Sequence, residues 1–449
     1  MIDKQIIDFN ESLIGLRDFV EVIDPFLNEK IQEHDKRVKP LVISAMLDKI
    51  IATKENWEEG EKEKFLEMQQ TAKSEINSIF NEETEVIFEP NKKNTKENGT
   101  ENDNGFSIKI KSNSNIVGQH MKNVENANKH IELLYTNSLI STLSTVEWFF
   151  SQLLHFYYDK YPESAGVHKR TLTLADLKTF NSISDAEKYL IDVKIDEILR
   201  GNFESWVTLL KTELGLNLGY LNDVIDELVE IYQRRNLFVH NGGVVNSIYL
   251  SKVKQNKREN ILLNEKLKVD KSYLENSICK LQKSFILIGA ELWKKLNPED
   301  ISRGEIIGEI VYDNLLNSRW DICEGLCYFL INDARINPVD KVISQINYWL
   351  CKKELGQYAS IKKEIDNVDF SDKKEIFQLG LYALRGETQK IIEILPIVLE
   401  SNQTNIERLE EFPILREFRE TDEYKLFKSE SKFFKEENKE VQKLSSMEK

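Results

Sequence analysis

Six consecutive residues, Arg235-Asn236-Leu237-Phe238-Val239-His240, bring a guanidinium, an amide and an imidazole together. An imidazole, with an ordinary pKa of about 6.5, exchanges protons at neutral pH and contributes about 10²- to 10⁴-fold as a general acid or base. A guanidinium can hold two phosphate oxygens at once and stabilise the charge that builds up at phosphorus. Together they suit phosphodiester cleavage in which the ribose 2′-hydroxyl is the nucleophile, so that RNA is cut and DNA spared. Asn236 would orient the imidazole or the phosphate. In the competing reading, Asn236 and His240 only cap a helix, and Arg235 pairs with a nearby carboxylate such as Glu230 or Asp226. Spacing by itself does not separate the two. The chain has no GxxxxGK[ST] loop, HExxH, GxSxG or strand-linked glycine fingerprint.

The elements around the six residues favour a site. Leu221, Val224, Ile225, Leu228, Val229 and Tyr232 form the apolar stripe of a helix that runs directly into them. If that helix continues, Tyr232, Asn236 and His240 stand at successive i, i+4 positions on one face. Arg235 lies about 140° away from His240 around it, but its long side chain can swing back toward a shared phosphate. Gly242 and Gly243 permit a stop or sharp turn. Earlier helices are expected over Leu139–Tyr158, which carries Glu147, over 185–200, and over 203–214, where Phe203, Trp206, Leu209 and Leu210 share a face. A later one is expected over 271–295.

Arg235-Asn236-Leu237-Phe238-Val239-His240 resembles the signature of the HEPN superfamily: Arg, a polar residue that is often Asn, a few more residues, then His. Arg234 gives a second register. The resemblance covers about residues 126 to 295, including the long early helix with Glu147. It implies a bundle of four to five helices and metal-independent endoribonuclease activity, with no cofactor, at a site formed by two copies of the motif across a homodimer. Arg235, Asn236 and His240 would be catalytic, with Arg234, Tyr232 and Glu147 in support. Bacterial members of the superfamily often act in antiphage defence or as toxins. A rival reading keeps the bundle but not the chemistry, giving a dimerising adaptor whose C-terminal repeats bind a protein partner.

At 449 residues the chain suggests roughly three domains. The expected fold is all-α: an N-terminal helical region with a β-hairpin (1–125), the HEPN-like bundle (126–297) and a C-terminal helical-repeat domain (298–449). Thr84–Phe88 and Phe106–Ile110 read as short strands around a mobile loop from Asn91 to Gly105. Pro298 breaks a helix at a boundary between Asn297 and Arg303. Beyond it, Gly356-Gln357-Tyr358 and Gly386-Glu387-Thr388 each sit between helical runs, as in tetratricopeptide-like hairpins, the small residue allowing close helix approach. The tail from Lys435 is charged and reads as frayed.

A net charge of −15 excludes a general nucleic-acid coat, so any RNA must be held by a local basic patch. Lys252, Lys254, Lys257 and Arg258, just past the motif, are the preferred backbone-binding residues. His168-Lys169-Arg170 reads as a solvated loop and His155 as a core or interface residue. Trp148, Phe149, Phe156 and Tyr157 read as core. Cys279, Cys323, Cys327 and Cys351 lack zinc-finger or secretory pairing and read as buried thiols of a cytoplasmic protein, with no metal site. The start, Met1-Ile2-Asp3-Lys4, lacks a signal pattern, and no apolar run is long enough for a bilayer.

Overall fold

The structure, a computed structural model, describes residues 2–54, 56–58, 60–80, 85–90, 106–111, 116–258, 260–431 and 433–434. The described chain is mostly helical, in line with the expected all-α class. The first elements are α1 (Ile2–Thr53), α2 (Glu61–Phe80), strands β1 (Glu85–Pro90) and β2 (Phe106–Lys111), and α3 (Ile116–Lys160). Next come α4 (Leu174–Leu177), α5 (Ile183–Leu199), α6 (Phe203–Thr212), α7 (Ile225–Asn241), α8 (Ser247–Lys252) and α9 (Lys271–Leu296). The C-terminal part contains α10 (Arg303–Leu316), α11 (Trp320–Asn332), α12 (Pro338–Glu354), α13 (Tyr358–Asn367), α14 (Glu375–Arg385) and α15 (Thr388–Glu400). It closes with α16 (Ile406–Glu411), α17 (Arg416–Arg419) and α18 (Asp422–Glu430). The two strands pair antiparallel, Glu85 opposite Lys111 and Pro90 opposite Phe106. The expected loop 91–105 and the tail from 435 lie outside the described residues.

Contacts divide the chain into two compact units, and the division runs differently from the three regions read in the sequence. One unit holds the residues up to Gly15, Leu139–Leu267 and everything from Ser272; the other holds Leu16–Ser138 with Lys268–Lys271. In the first unit the opening turns of α1 are part of the helical bundle. Phe9 stacks on Phe149 with ring centroids 4.3 Å apart, and Gln282 donates to the Asn10 side chain at 2.6 Å in the buried interior. Gly289 of α9 lets these chains meet: a Cβ there would stand 3.0 Å from the Phe149 ring and 3.1 Å from Ile6. Phe150 stacks on Trp206 at 4.5 Å and Phe203 on Tyr232 at 5.1 Å, so aromatic contacts link α3, α6 and α7 into one core.

Side-chain caps start the bundle helices where the sequence turns. Ser182 accepts from the Asp185 amide before α5, Asn202 from the Ser205 amide before α6, and Asn246 from the Tyr249 amide before α8. At the expected 297–303 boundary, Arg303 is fully buried and donates to the Asn297 carbonyl at 2.7 Å and to the Asp333 carboxylate at 3.0 Å. That pair fastens the start of α10 to the end of α11. Further on, Gly356 (φ +74) and Gly386 (φ +72) follow α12 and α14 in the left-handed conformation. A Cβ on either would meet nothing within 4 Å, so each glycine is required by its backbone angle and not by the close helix approach expected.

In the second unit, Asp24 of α1 accepts from the Tyr135 hydroxyl of α3, from Asn28 at 2.9 Å and from Lys271 at 2.8 Å. Burial works against ionisation of Asp24, but these donors outweigh it and hold the carboxyl below its usual range. Among the described residues, no helix is long and apolar enough to cross a membrane.

Candidate functional site

Helix α7 carries all six motif residues and ends immediately after them at Asn241. Gly242 (φ +60) and Gly243 (φ +82) stop it, and the Gly243 amide returns to the Leu237 carbonyl at 3.0 Å. A Cβ on Gly243 would stand 2.6 Å from the Phe238 ring, which closes that position to larger residues. The chain then folds back, with the Leu267 amide donating to the Gly243 carbonyl at 2.9 Å and the Val245 amide to the Glu265 carbonyl at 2.8 Å. Leu237 is buried with Val245, Tyr249, Val253 and Leu267, and Phe238 packs against them. This satellite core fixes the rotation of the last turns of α7, leaving Val239 and His240 exposed and Asn236 half-buried.

The sequence placed Tyr232, Asn236 and His240 on one face, and the unbroken helix does so, but burial separates them. Tyr232 is core, stacked on Phe203 with its hydroxyl buried and without a hydrogen-bond partner among the described residues. That interior pushes its phenol well above the ordinary value. Asn236 and His240, one turn apart, carry no hydrogen bond or ion pair among the described residues.

Arg235 points elsewhere. Its Nη2 donates to Glu147 of α3, its side chain retains 16% exposure against 33% for Glu147, and its buried Nε has no acceptor among the described residues. Burial lowers the Arg235 pKa from the ordinary arginine value. The carboxylate partner is thus Glu147, 88 positions away, and neither Glu230 nor Asp226. Arg234 takes Glu230, its Nε 2.7 Å from Oε1, while its guanidinium lies 4.0 Å from the centroid of the Tyr273 ring. Glu230 also accepts from the hydroxyls of Tyr249 at 2.8 Å and Tyr273 at 2.6 Å. Burial opposes the Arg234 charge, but the oxygens of Tyr273 and Glu230 prevail and raise its pKa. This buried network ties α7 to α8 and α9, and it holds Arg234 in the interior. Sequence reasoning missed it; the i, i+4 spacing of Glu230 and Arg234 was its only legible trace.

Two of the four cations of the expected RNA-binding patch are ion-paired. Lys254 pairs with Asp226 at 2.9 Å, Lys257 with Glu227 at 2.7 Å, and Glu227 also takes Lys280. Arg258 donates to the Val253 carbonyl at 2.9 Å. Lys252 is exposed. Carboxylates one and two residues into α7 attract these cations because the patch packs beside the helix start, a fold-back that charge runs do not reveal. Arg170 of the His168-Lys169-Arg170 cluster is likewise committed, its two terminal nitrogens spanning the Glu197 carboxylate. His155 is half-buried with Nδ1 3.8 Å from Asp192. Trp148, expected in the core, is 45% exposed, whereas Phe149 and Phe150 are fully buried.

Cys323, Cys327 and Cys351 are buried and Cys279 half-buried, all as free thiols, and burial drives the Cys323 and Cys327 thiols up. Among the described residues, no cluster of three His, Cys, Asp or Glu side chains is placed to hold a metal ion. No protein-family model, curated protein or solved structure matches this chain.

Proposed function

We propose that the bundle is a HEPN-type, metal-independent endoribonuclease that works as a homodimer, with Arg235, Asn236 and His240 as its reactive groups. The observation that carries this reading is that the last turns of α7 leave His240 exposed and Asn236 half-buried one turn apart on one helix face, with Arg235 of the same stretch held by Glu147 of α3. In the reaction, one imidazole takes the proton of the 2′-hydroxyl as its oxygen attacks phosphorus. A second imidazole, from the other copy, protonates the departing 5′-oxygen. The products are a 2′,3′-cyclic phosphate and a 5′-hydroxyl, and the guanidinium stabilises the charge on the phosphoryl oxygens. Rotation of Arg235 away from Glu147 toward the phosphate is part of this proposal. A role in antiphage defence or as a toxin goes with it.

The Glu147 contact also favours a second reading, an adaptor in which Arg235 is structural and the bundle only dimerises. One experiment divides the two. RNA and an RNA with a single 2′-deoxyribose at the cut site are incubated with purified protein in EDTA. The nuclease leaves cyclic-phosphate ends on the first and spares the second; intact RNA, or cleavage that needs a metal, rejects the proposed mechanism.

A further inference from the structure

Helices α10, α12 and α14 line a groove of about 990 Å³, to which Arg408 and residues 412–415 also contribute. Its floor is apolar, with Ile343, Ile346, Ile376, Phe377 and Ile414 among the side chains that line it. Its walls are unlike. Glu305, Glu309 and Asp313 recur at four-residue intervals along α10 and share one side of that helix, and Asp340 joins them from the first turn of α12. None of the four has an ion-pair partner among the described residues. Burial, reinforced by the negative charge of Glu305, raises the Asp340 carboxyl above its usual range. Lys374 and Arg408 stand among the lining residues and leave four carboxylates against two cations. Gly304 and Gly308 of α10 also line the groove; a Cβ on Gly304 would stand 2.8 Å from the Asp340 carboxylate, whereas one on Gly308 would meet nothing within 4 Å.

A groove of this volume is at the upper end of the range for small-ligand sites, roughly 300–1,000 Å³, which leaves room for several side chains of a peptide. Unpaired carboxylates over an apolar floor repel phosphate, which argues against RNA here, and they gain most from a cation whose neighbours are apolar. We propose that this groove receives a peptide segment of a partner protein that presents lysine or arginine beside leucine-like side chains. The cations meet Glu305, Glu309, Asp313 and Asp340, and the apolar side chains cover the isoleucines and Phe377. This surface is independent of whether the bundle cuts RNA.

The test uses the full chain and three labelled synthetic peptides of equal length, built from leucine and lysine, leucine and glutamate, or serine and lysine. Fluorescence anisotropy is expected to show the leucine–lysine peptide binding at least about tenfold tighter than either other. Added salt weakens that binding. The double substitution Glu305→Lys with Glu309→Lys abolishes the preference, and Gly308→Trp, which puts a large ring among the lining residues, abolishes binding; both variants keep the wild-type circular dichroism spectrum. Equal binding of the leucine–glutamate peptide, failure of all three to bind, or binding unchanged by Gly308→Trp overturns the proposal. RNA cleavage is not read in this experiment, so its outcome leaves the ribonuclease reading untouched.

Discussion

His240 is the motif residue whose exposure leaves it available to a substrate or a second copy, and Arg235 is the one already engaged. The Arg235–Glu147 pair is half-desolvated, which makes it worth more than a surface ion pair and exposes Arg235 to a cost if Glu147 is lost. A double-mutant cycle with Arg235→Ala and Glu147→Ala, read by denaturant melting, is expected to give a coupling of about 1–2 kcal/mol. A coupling near zero would mean that the contact does not hold Arg235. The identity of this partner was not legible in the sequence. Nearness along the chain pointed to Glu230 and Asp226, but those carboxylates are taken by Arg234 and by Lys254, and the packing of α3 on α7 supplied Glu147 instead. The motif itself was legible because its residue types and the glycines after it are local features.

Helices were read well from the sequence where apolar periodicity and caps coincide: α6 begins at Phe203 and α9 at Lys271, as the pattern required. The participation of α1 in the bundle was not legible. Its apolar stripe runs unbroken through Ile6, Phe9, Leu13, Leu16 and Val20, so nothing marks where one unit ends at Gly15. Two glycines separate backbone need from packing need. Gly386→Ala is expected to cost about 1 kcal/mol because its φ of +72° disfavours a Cβ, while Gly308→Ala, inside α10 with open space around it, is expected to stabilise by about 0.5–1 kcal/mol. Denaturant midpoints moving in the same direction for both would contradict this. Asp24 gives the second unit an acid sensitivity. Its folded pKa is depressed, so its contribution is complete above the unfolded value of about 4 and is lost as pH falls through the folded one. Asp24→Asn should therefore flatten the loss of stability of that unit below pH ~4, and an unchanged acid profile would remove Asp24 from the account.

At the scale of the whole molecule, a net charge of −15 must be reconciled with the RNA substrate proposed above. Pairing of Lys254 and Lys257 with carboxylates leaves little free positive charge beside the motif, so the account requires contact with few phosphates and chemistry concentrated in the motif. The C-terminal helices add a separate groove lined by four carboxylates and two cations, in the same compact unit as the motif. Composition could bound the class of partner, but only folding showed which charges remain uncommitted. Because His240 is exposed, its replacement by alanine leaves the core untouched and isolates its chemical role. The most direct measurement is therefore single-turnover RNA cleavage in EDTA by the wild type and His240→Ala at matched melting temperatures. The account predicts cleavage by the wild type and a loss of about 100-fold or more in the variant; equal rates, or no cleavage by either, would contradict it.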